Sequence, residues 1–385
     1  MLGVKRATLY TYVSRGWIQR VASGKGRRNL YLRSDVERLR QRRDARAGHT
    51  ASAAGALRWG EPVISTNIAS LSAAGIHYRG RPLEALLDAG VSFEATAELL
   101  WTGAIPESPV WPGAPEVHEL PGVHELPEVH DLIAVTLALR AADPAPLLTG
   151  PVRALERGRA LVWSLCGVPP EPGESVARAA CRRFGGAPTP AVEAAVNRAL
   201  ILSAEHGLNA STFAARVAAS TGADLYSAVI AGLCAFSGPK HGRACAGIEG
   251  ILDAVGTSGA PEQLRHRVHD WVDARYRAGE QVPGFVHRLY PDGDPRGGPL
   301  MADAAALGDD RSLDVLIAVA AVMAEAGWRT PTVDYGLVAL TRALGWPRGS
   351  ATWLFAVGRC AGWVAHALEQ RESGALLRPR AAYAG

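Results

Sequence analysis

Apolar residues recur at helical spacing through most of this chain, whereas the alternation typical of strands is almost absent. Alanine- and leucine-rich stretches with this spacing cover residues 81–106, 131–144, 191–206 and 311–327. Each can bury one face of a helix against neighbouring helices. The sequence therefore predicts an all-α protein with many helices around more than one core, and 48% hydrophobic residues in a chain of 385 suffice to fill those cores.

Membrane and secretory signals are not found in the sequence. No run of about 18 apolar residues could span a bilayer, and the first residues lack the apolar stretch of a secretory signal. Five widely spaced cysteines with no CxxC pair predict reduced core residues and neither a disulfide framework nor a zinc site. We therefore expect a cytoplasmic protein without a membrane partner.

The charge is distributed unevenly along the chain. Residues 1–50 hold thirteen Lys and Arg against three acidic residues, a net +10, whereas the remainder carries −6. A basic segment of this kind suits contact with a polyanion. Small residues dominate 51–62, so the sequence predicts a boundary near residue 50 followed by a linker.

The basic segment contains local patterns for a helix from about residue 7 to 16, a basic turn with a short strand within 24–34, and a helix capped by Ser34 and Glu37. This order resembles the winged helix-turn-helix of the MerR and excisionase type. That family has a further helix before the one that begins here at about residue 7, whereas only residues 1–3 precede this helix. The alternatives to a complete module are therefore a truncated module and a solvated basic arm. The resemblance implies that DNA would be contacted by Arg6, Thr8, Tyr10, Arg27 and Arg28.

A six-residue motif is copied nearly three times over residues 116–132, and it contains His118, His124 and His130. Three histidines invite a metal-site interpretation. Proline at each junction breaks the helix that would bring them to one face. We therefore predict an irregular surface loop of slipped repeats and no metal.

Several chemistry-bearing side chains lie at breaks between predicted helices. His206 lies in "SAEHGLNAS", a stretch of poor helix formers, and His241 follows a Gly-Pro turn just before an apolar helix, whose dipole would favour a neutral imidazole. His287 and Arg296 lie in a loop rich in proline and glycine, and Asp334 lies between a proline and a new helix. Such loops often carry function, although each residue alone also has an ordinary structural explanation.

The wording of these segments is more specific than their composition. Residues 204–242, 283–296, 332–336, 358–370 and 378–385 resemble citrate synthase in the same order and at similar spacing, and the match extends over essentially residues 60–385. The resemblance implies an all-α homodimer in which a small domain closes over the substrates. The large domain would comprise 63–241 and 335–385, and the small domain 242–334.

The citrate synthase family joins acetyl-CoA to oxaloacetate and hydrolyses the citryl thioester. The resemblance implies that Asp334 is the base for the methyl proton, His241 the donor to the thioester oxygen, and His287 the residue that polarises the keto carbon. Guanidinium groups suit a dicarboxylate substrate. The resemblance thus implies that oxaloacetate is bound by His206, Arg296, Arg359 and Arg378, the last reaching across the dimer interface. No permanently bound cofactor is implied, since acetyl-CoA is a co-substrate.

Some positions depart from the family pattern. Arg243 and Cys245 replace a glycine and an asparagine after the catalytic histidine, Val286 replaces the glycine before His287, and Thr332 replaces an asparagine before the base. In the family the backbone of the loop before His287 lines the coenzyme A site. The resemblance therefore implies contacts to coenzyme A from Val282, Gly284 and Val286.

Two alternatives to a citrate synthase stay open. A 2-methylcitrate synthase uses propionyl-CoA with the same residues, and one methylene is worth only about 1–3 kcal/mol in a pocket. The other alternative is a DNA-binding regulator whose synthase-like body senses oxaloacetate or acyl-CoA. The presence of His241, His287 and Asp334 favours an enzyme, because a sensor needs no catalytic base.

Overall fold

The computed structural model describes residues 12–13, 20–21, 30–31, 64–72, 75–108, 110–111, 128–147, 150–185, 188–287, 289–290, 293–308, 310–327 and 330–378. The chain divides into two compact units, Met1–Thr66 with Arg378–Gly385, and Asn67–Leu377. Among the described residues, no helix has both the length and the apolar character needed to cross a bilayer.

In the first unit the structure describes two helical residues, two short strands, residues 64–66 and Arg378. Strand β1 (Arg20–Val21) pairs antiparallel with β2 (Leu30–Tyr31), and Tyr12 and Val13 are helical. Tyr12 and Val13 lie within the predicted helix and β2 lies within the predicted strand segment 24–34, whereas β1 was not predicted. The winged helix-turn-helix as a whole is not confirmed. The predicted DNA contacts lie outside the described residues, and they are Arg6, Thr8, Tyr10, Arg27 and Arg28. The predicted linker 51–62 also lies outside them.

The second unit is mostly helical, as the apolar spacing predicts. All four predicted stretches contain helices. In chain order the described helices are α1 (Leu83–Asp88), α2 (Phe93–Thr102), α3 (Val129–Ala142), α4 (Pro151–Cys166), α5 (Val176–Gly185), α6 (Pro190–Ala204), α7 (Ala210–Ser220), α8 (Leu225–Phe236), α9 (Ala244–Val255), α10 (Pro261–Ala278), α11 (Gly297–Leu307), α12 (Arg311–Glu325), α13 (Val333–Ala343) and α14 (Ser350–Ser373).

The prediction of an all-helical body is wrong for one segment. Strands β3 (Ala69–Ser72), β4 (Gly75–Tyr78) and β5 (Arg81–Pro82) form an antiparallel sheet in the order β3-β4-β5. In β4 only Ile76 and Tyr78 are buried, so the alternation has just two members and is too short to be distinguished in the sequence.

A tight turn and one buried hydroxyl fix this sheet to the helices. Arg79 and Gly80 both have positive φ, +48° and +79°, as a two-residue hairpin turn requires. The Tyr78 hydroxyl lies 3.0 Å from two carbonyl oxygens to which it can donate, those of Ile201 and Glu205. The sheet is thereby attached to the end of α6.

Two other sequence predictions need correction. The irregular loop predicted through residue 132 ends earlier, because α3 begins at Val129 and includes the exposed His130, while His118 and His124 lie outside the described residues. The prediction of buried cysteines is wrong for Cys234, which is exposed on α8, although the other four are buried.

Helix α14 lies at the centre of the second unit and packs against α2, α4, α6, α7, α8 and α13. Gly358 and Gly362, one turn apart, permit its close approach to α6. A Cβ atom at Gly358 would lie 2.7 Å from the carbonyl oxygen of Leu200, and one at Gly362 would overlap the carbonyl oxygen of Ala204. This contact places Arg359 beneath the end of α6.

Candidate active site

His206 occupies the turn between α6 and α7, as the run of poor helix formers predicted. Asn209 caps α7 by accepting a hydrogen bond from the Thr212 N–H at 3.0 Å. The imidazole is 6% exposed, and its Nε2 atom lies 2.6 Å from the Tyr290 hydroxyl oxygen. A polar side chain is therefore held rigidly at a helix break inside the molecule.

Four other candidate residues gather around His206. Burial lowers the pKa of His206 well below its usual value, and the positive charges of Arg296 and Arg359 and the imidazoles of His287 and His241 lower it further. The His206 and His287 ring centroids are 5.4 Å apart. The fold thus brings together side chains that are scattered along the sequence, and keeps the central imidazole neutral.

Arg359 is a buried cation whose guanidinium has a donor without a partner among the described residues. Its side chain is 1% exposed, and Nε donates to the carbonyl oxygen of Ser203 at 2.7 Å. Its Nη2 is buried without a hydrogen-bond partner among the described residues. Burial lowers the pKa of Arg359 to about 10, opposed chiefly by the charge of Glu205. Such a guanidinium is a ready donor to an anionic ligand.

Arg296, in contrast, is already paired. Its Nε and Nη2 donate to Oδ1 and Oδ2 of Asp294 at 3.0 and 2.8 Å, and both side chains are buried. Although burial alone would raise the pKa of Asp294, the charge of Arg296 lowers it. Oδ2 of Asp294 also accepts the Val333 N–H at 3.1 Å. The pair thereby ties the loop that carries His287 to the start of α13.

Asp334 lies in the first turn of α13, as predicted. The N-cap residue Thr332 donates its N–H to the carbonyl oxygen of Gly284 at 2.8 Å. Burial raises the pKa of Asp334 to about 6, although the charge of Arg296 opposes this rise. The Sγ atom of the Cys245 thiol lies 3.8 Å from Oδ1 and can donate a weak hydrogen bond to it. A carboxylate with this pKa is ionised at neutral pH and is a stronger base than an ordinary aspartate.

His241 lies in the turn before α9, and its Nε2 is 2.7 Å from the Ser211 hydroxyl oxygen. Burial, with a further contribution from Arg359, lowers the pKa of His241 to about 4. A neutral imidazole was expected at this position, but from the dipole of the following helix. That reason needs correction, because the helix begins only at Ala244 and the main cause is burial.

The environment of His287 fixes which nitrogen carries the proton. The Leu289 N–H donates to Nδ1 at 3.3 Å, so the neutral ring carries its proton on Nε2. Burial and the charge of Arg296 lower the pKa of His287. The Nε2–H group is therefore available as a neutral hydrogen-bond donor.

The remaining predicted site residues have different surroundings. The side chain of Val282 is 2% exposed and belongs to the core, whereas Val286 is 41% exposed. Gly284 has φ +86°, and a Cβ there would lie 2.5 Å from Cδ2 of Tyr335. Only glycine fits this backbone position without strain. Arg378 is exposed and belongs to the unit of residues 1–66 and 378–385.

Three residues of the site were missed in the sequence: Ser211, Tyr290 and Asp294. Asp294 stands two positions before Arg296, a spacing that could have suggested the ion pair. The hydrogen bonds from Ser211 to His241 and from Tyr290 to His206 join residues 30 and 84 positions apart, so no local pattern could have identified these contacts. In the described part of the chain, no group of three His, Cys, Asp or Glu could hold a metal ion.

Comparison with known proteins gives a consistent result. The family model described as "Citrate synthase, C-terminal domain" matches residues 156–380. The citrate synthase of Haloferax volcanii is 38% identical over 222 residues, which cover 56% of this chain and 57% of that protein. The 2-methylcitrate synthase of Mycobacterium tuberculosis is 37% identical over 206 residues, 52% of this chain and 51% of that protein. The matches therefore span about half the length of these curated relatives.

Solved structures cover more of the chain. The structure of citrate synthase from Thermoplasma acidophilum, a ternary complex with carboxymethyl coenzyme A and oxaloacetate, is similar to this chain with a TM-score of 0.72 and 25% identity. The alignment covers 84% of this chain and 94% of that one. Citrate synthase from Thermotoga maritima gives a TM-score of 0.70 at 26% identity, covering 85% and 94%.

Proposed function

The chain belongs to the citrate synthase family, and from this premise we propose that it condenses acetyl-CoA with oxaloacetate and water to give citrate and CoA. One observation carries the proposal. Six charged or titratable groups act on one another electrostatically around a single helix break. They are three imidazoles with lowered pKa, one carboxyl group with raised pKa and two buried guanidinium groups.

In the proposed reaction, oxaloacetate is bound first by the cationic groups. The Nη2 of Arg359, which has no partner among the described residues, donates to one carboxylate, and Arg296, oriented by Asp294, contributes the second cation. His206 adds a neutral donor. Arg378 would reach the substrate from the second subunit of a homodimer, which we propose as the working assembly.

Asp334 then removes a proton from the methyl group of acetyl-CoA. Its raised pKa suits this step, because the base is ionised at neutral pH and yet binds a proton more strongly than an exposed aspartate. His241 stabilises the enolate oxygen that develops on the thioester. It can do so through Nδ1–H when the single Ser211 hydroxyl proton is donated to Nε2 of His241, 2.7 Å away, instead of to Oδ1 of Asn209, 2.8 Å away.

His287 completes the carbon–carbon bond formation. Its Nε2–H donates to the keto oxygen of oxaloacetate and polarises the carbonyl carbon, which the enol carbon attacks. Water then cleaves the citryl thioester, and citrate and CoA are released. No permanently bound cofactor takes part in this scheme.

The acyl group is the least constrained part of the proposal. Relatives of similar identity include both a citrate synthase and a 2-methylcitrate synthase. Backbone atoms of Val282, Gly284 and Val286 would contact coenzyme A, and the exposed Val286 side chain would alter that contact. We favour acetyl-CoA, with propionyl-CoA as the alternative.

The test is a steady-state comparison of the two thioesters. CoA release from acetyl-CoA or propionyl-CoA in the presence of oxaloacetate is followed with a thiol reagent, with the Asp334→Asn variant as the control for non-enzymatic release. We expect a higher kcat/KM with acetyl-CoA. A higher value with propionyl-CoA would select the methylcitrate reaction, and no release with either would contradict the proposed function.

The finer organisation follows the family. We propose that 63–241 with 335–385 forms a large domain, that 242–334 forms a small domain closing over the substrates, and that the protein works in the cytoplasm. The +10 charge of residues 1–50 is the support for DNA contact, either through a winged helix-turn-helix or as a basic arm. Salt-sensitive retention of DNA that is lost on deletion of residues 1–50 would support it.

A further inference from the structure

Tyr290 contacts three residues of the candidate site, although the proposed reaction gives it no role. Its hydroxyl oxygen lies 2.6 Å from Nε2 of His206, and its ring centroid lies 5.4 Å from that of His206 and 4.9 Å from that of His287. The Arg296 guanidinium carbon is 6.0 Å from the same ring. The side chain therefore lies between two imidazoles and a cation that are all proposed to handle oxaloacetate.

The protons of the Tyr290–His206 pair can be counted. Burial raises the pKa of Tyr290 to about 12, so the hydroxyl keeps its proton at neutral pH. His206 is neutral and carries one proton on one of its two nitrogens. One of these two protons lies in the short hydrogen bond, which leaves one N–H or O–H group to be donated elsewhere.

We propose that Tyr290 is a positioning residue for oxaloacetate, whose hydroxyl donates to Nε2 of His206 and thereby keeps the imidazole proton on Nδ1, as the one donor that the pair presents to the substrate. The inference rests on the proposed function, because it assumes that oxaloacetate occupies this site. It adds a role for a residue outside the catalytic and binding set.

The hydroxyl itself is expected to matter, beyond the packing of the ring. Within the described part of the chain its hydrogen-bond partner is Nε2 of His206. Without the hydroxyl, this buried nitrogen loses its partner and the imidazole proton can move between Nδ1 and Nε2. Only one of the two arrangements then presents the donor correctly, so substrate binding weakens.

The experiment compares Tyr290→Phe, which keeps the ring, with Tyr290→Leu, which removes it. Tyr276→Phe is the matched control, because Tyr276 is 46% exposed on α10 and its hydroxyl contacts only the Met323 sulfur among the described residues, at 3.8 Å. The dissociation constant of oxaloacetate is measured by calorimetry on the full chain without acyl-CoA. KM for oxaloacetate, KM for acetyl-CoA and kcat are measured by CoA release.

We expect Tyr290→Phe to raise the dissociation constant and KM of oxaloacetate about five- to tenfold. The KM of acetyl-CoA and kcat should stay within about twofold, because the lost contact is made equally in the ground and transition states. Tyr276→Phe should equal the wild type. A merely structural role would instead leave Tyr290→Phe silent and affect only Tyr290→Leu.

The outcomes separate this inference from the proposed function. If the wild type binds and turns over oxaloacetate and Tyr290→Phe behaves identically, the inference is overturned and the function stands. An equal rise of both KM values in Tyr290→Phe would also overturn it, since the change would then not be specific to oxaloacetate. If the wild-type protein neither binds nor turns over oxaloacetate, both proposals fail together.

Discussion

The two sides of the candidate site hold their arginines in opposite states. One side is a shelf, defined here as Ser203, Glu205, His206 and Arg359, where the guanidinium has a buried Nη2 without a hydrogen-bond partner in the described part of the chain. The other side is the loop of residues 282–296, where two N–H groups of Arg296 are occupied by Asp294. Both arginines are buried, so the difference lies in their partners and not in their exposure.

This difference in hydrogen-bond partners suggests different tasks for the two arginines, substrate binding for Arg359 and positioning of the chain for Arg296. A buried guanidinium with unmet hydrogen bonds gains most from an incoming carboxylate, whereas a paired one gains less and instead orders the chain around it. We therefore infer that the shelf supplies most of the affinity for oxaloacetate. The loop holds His287 and the start of α13 in place for the chemistry.

Asp334→Asn should separate turnover from binding most clearly, because it removes the proposed base and leaves both arginines in place. We expect kcat to fall by about a thousandfold or more, while the dissociation constant of oxaloacetate stays within about twofold. Calorimetry and CoA release measure the two quantities, and Asp273→Asn on exposed helix α10 is the control. Loss of binding equal to the loss of turnover would refute the assigned role.

Arg359→Leu should remove the main anchor of the shelf. We expect the dissociation constant of oxaloacetate to rise about 10- to 100-fold, since charge-assisted hydrogen bonds contribute about 1.5–3 kcal/mol. The free energy of unfolding should not decrease, because the substitution removes a buried cation whose pKa is already lowered. Exposed Arg277→Leu is the control. Unchanged affinity would show that this arginine is structural.

Asp294→Asn changes the loop of residues 282–296, and its main effect should be on the free energy of unfolding. It leaves the buried Arg296 without its carboxylate partner, so we expect the free energy of unfolding to fall by about 3 kcal/mol. The KM of oxaloacetate should rise by less than in Arg359→Leu. Denaturant unfolding and steady-state kinetics measure both. An unchanged unfolding midpoint, with weakened binding, would reverse the roles given to the two sides.

The pH profile should show the smallest effects. Because Asp334 must be ionised, kcat/KM for acetyl-CoA should be half-maximal near pH 6 and fall below it. The groups that act on this carboxyl are Arg296, Asp294 and Arg359, with the Cys245 thiol in contact. Arg359→Leu should shift the midpoint upwards and Asp294→Asn downwards, each by less than about one pH unit. Shifts in the same direction would contradict the electrostatic arrangement.

Stability should depend on the same carboxyl with the opposite sign. Because the folded pKa of Asp334 is raised above its unfolded value, its contribution to stability is largest at low pH and is lost as the pH rises from about 4 to 6. At pH 8 the Asp334→Asn variant should therefore be more stable than the wild type, by roughly 1–3 kcal/mol. Equal unfolding free energies at pH 8 would argue against a buried, charged carboxylate.

The sequence predicted the helices better than the sheet. Long stretches such as 191–206 repeat the helical period several times, so they stand out from local pattern alone. Strand β4 buries only Ile76 and Tyr78, and β5 has two residues, so their period of two has too few members to be recognised. The sheet also depends on the positive φ of Arg79, which its residue type does not suggest.

The residues of the candidate site were predicted mainly through resemblance to the family. The physical causes of their protonation states were not predicted. The neutral state of His241 was expected from a helix dipole, whereas burial and Arg359 produce it. Burial depends on how distant helices pack, which a local segment does not contain. For the same reason the Tyr290 and Ser211 contacts, which join residues from separate helices and loops, required the folded structure.

The two glycines of α14 have a further consequence for how this protein could adapt. A methyl group at Gly358 or Gly362 would push α14 away from α6 and draw Arg359 off the Ser203 carbonyl oxygen. The distance between α14 and α6, and with it the position of Arg359, is thus set by backbone-to-backbone contact, which no side-chain substitution can adjust gradually. If the proposed function holds, adaptation to a bulkier keto acid or thioester would have to act through residues 282–296, where Val286 is exposed.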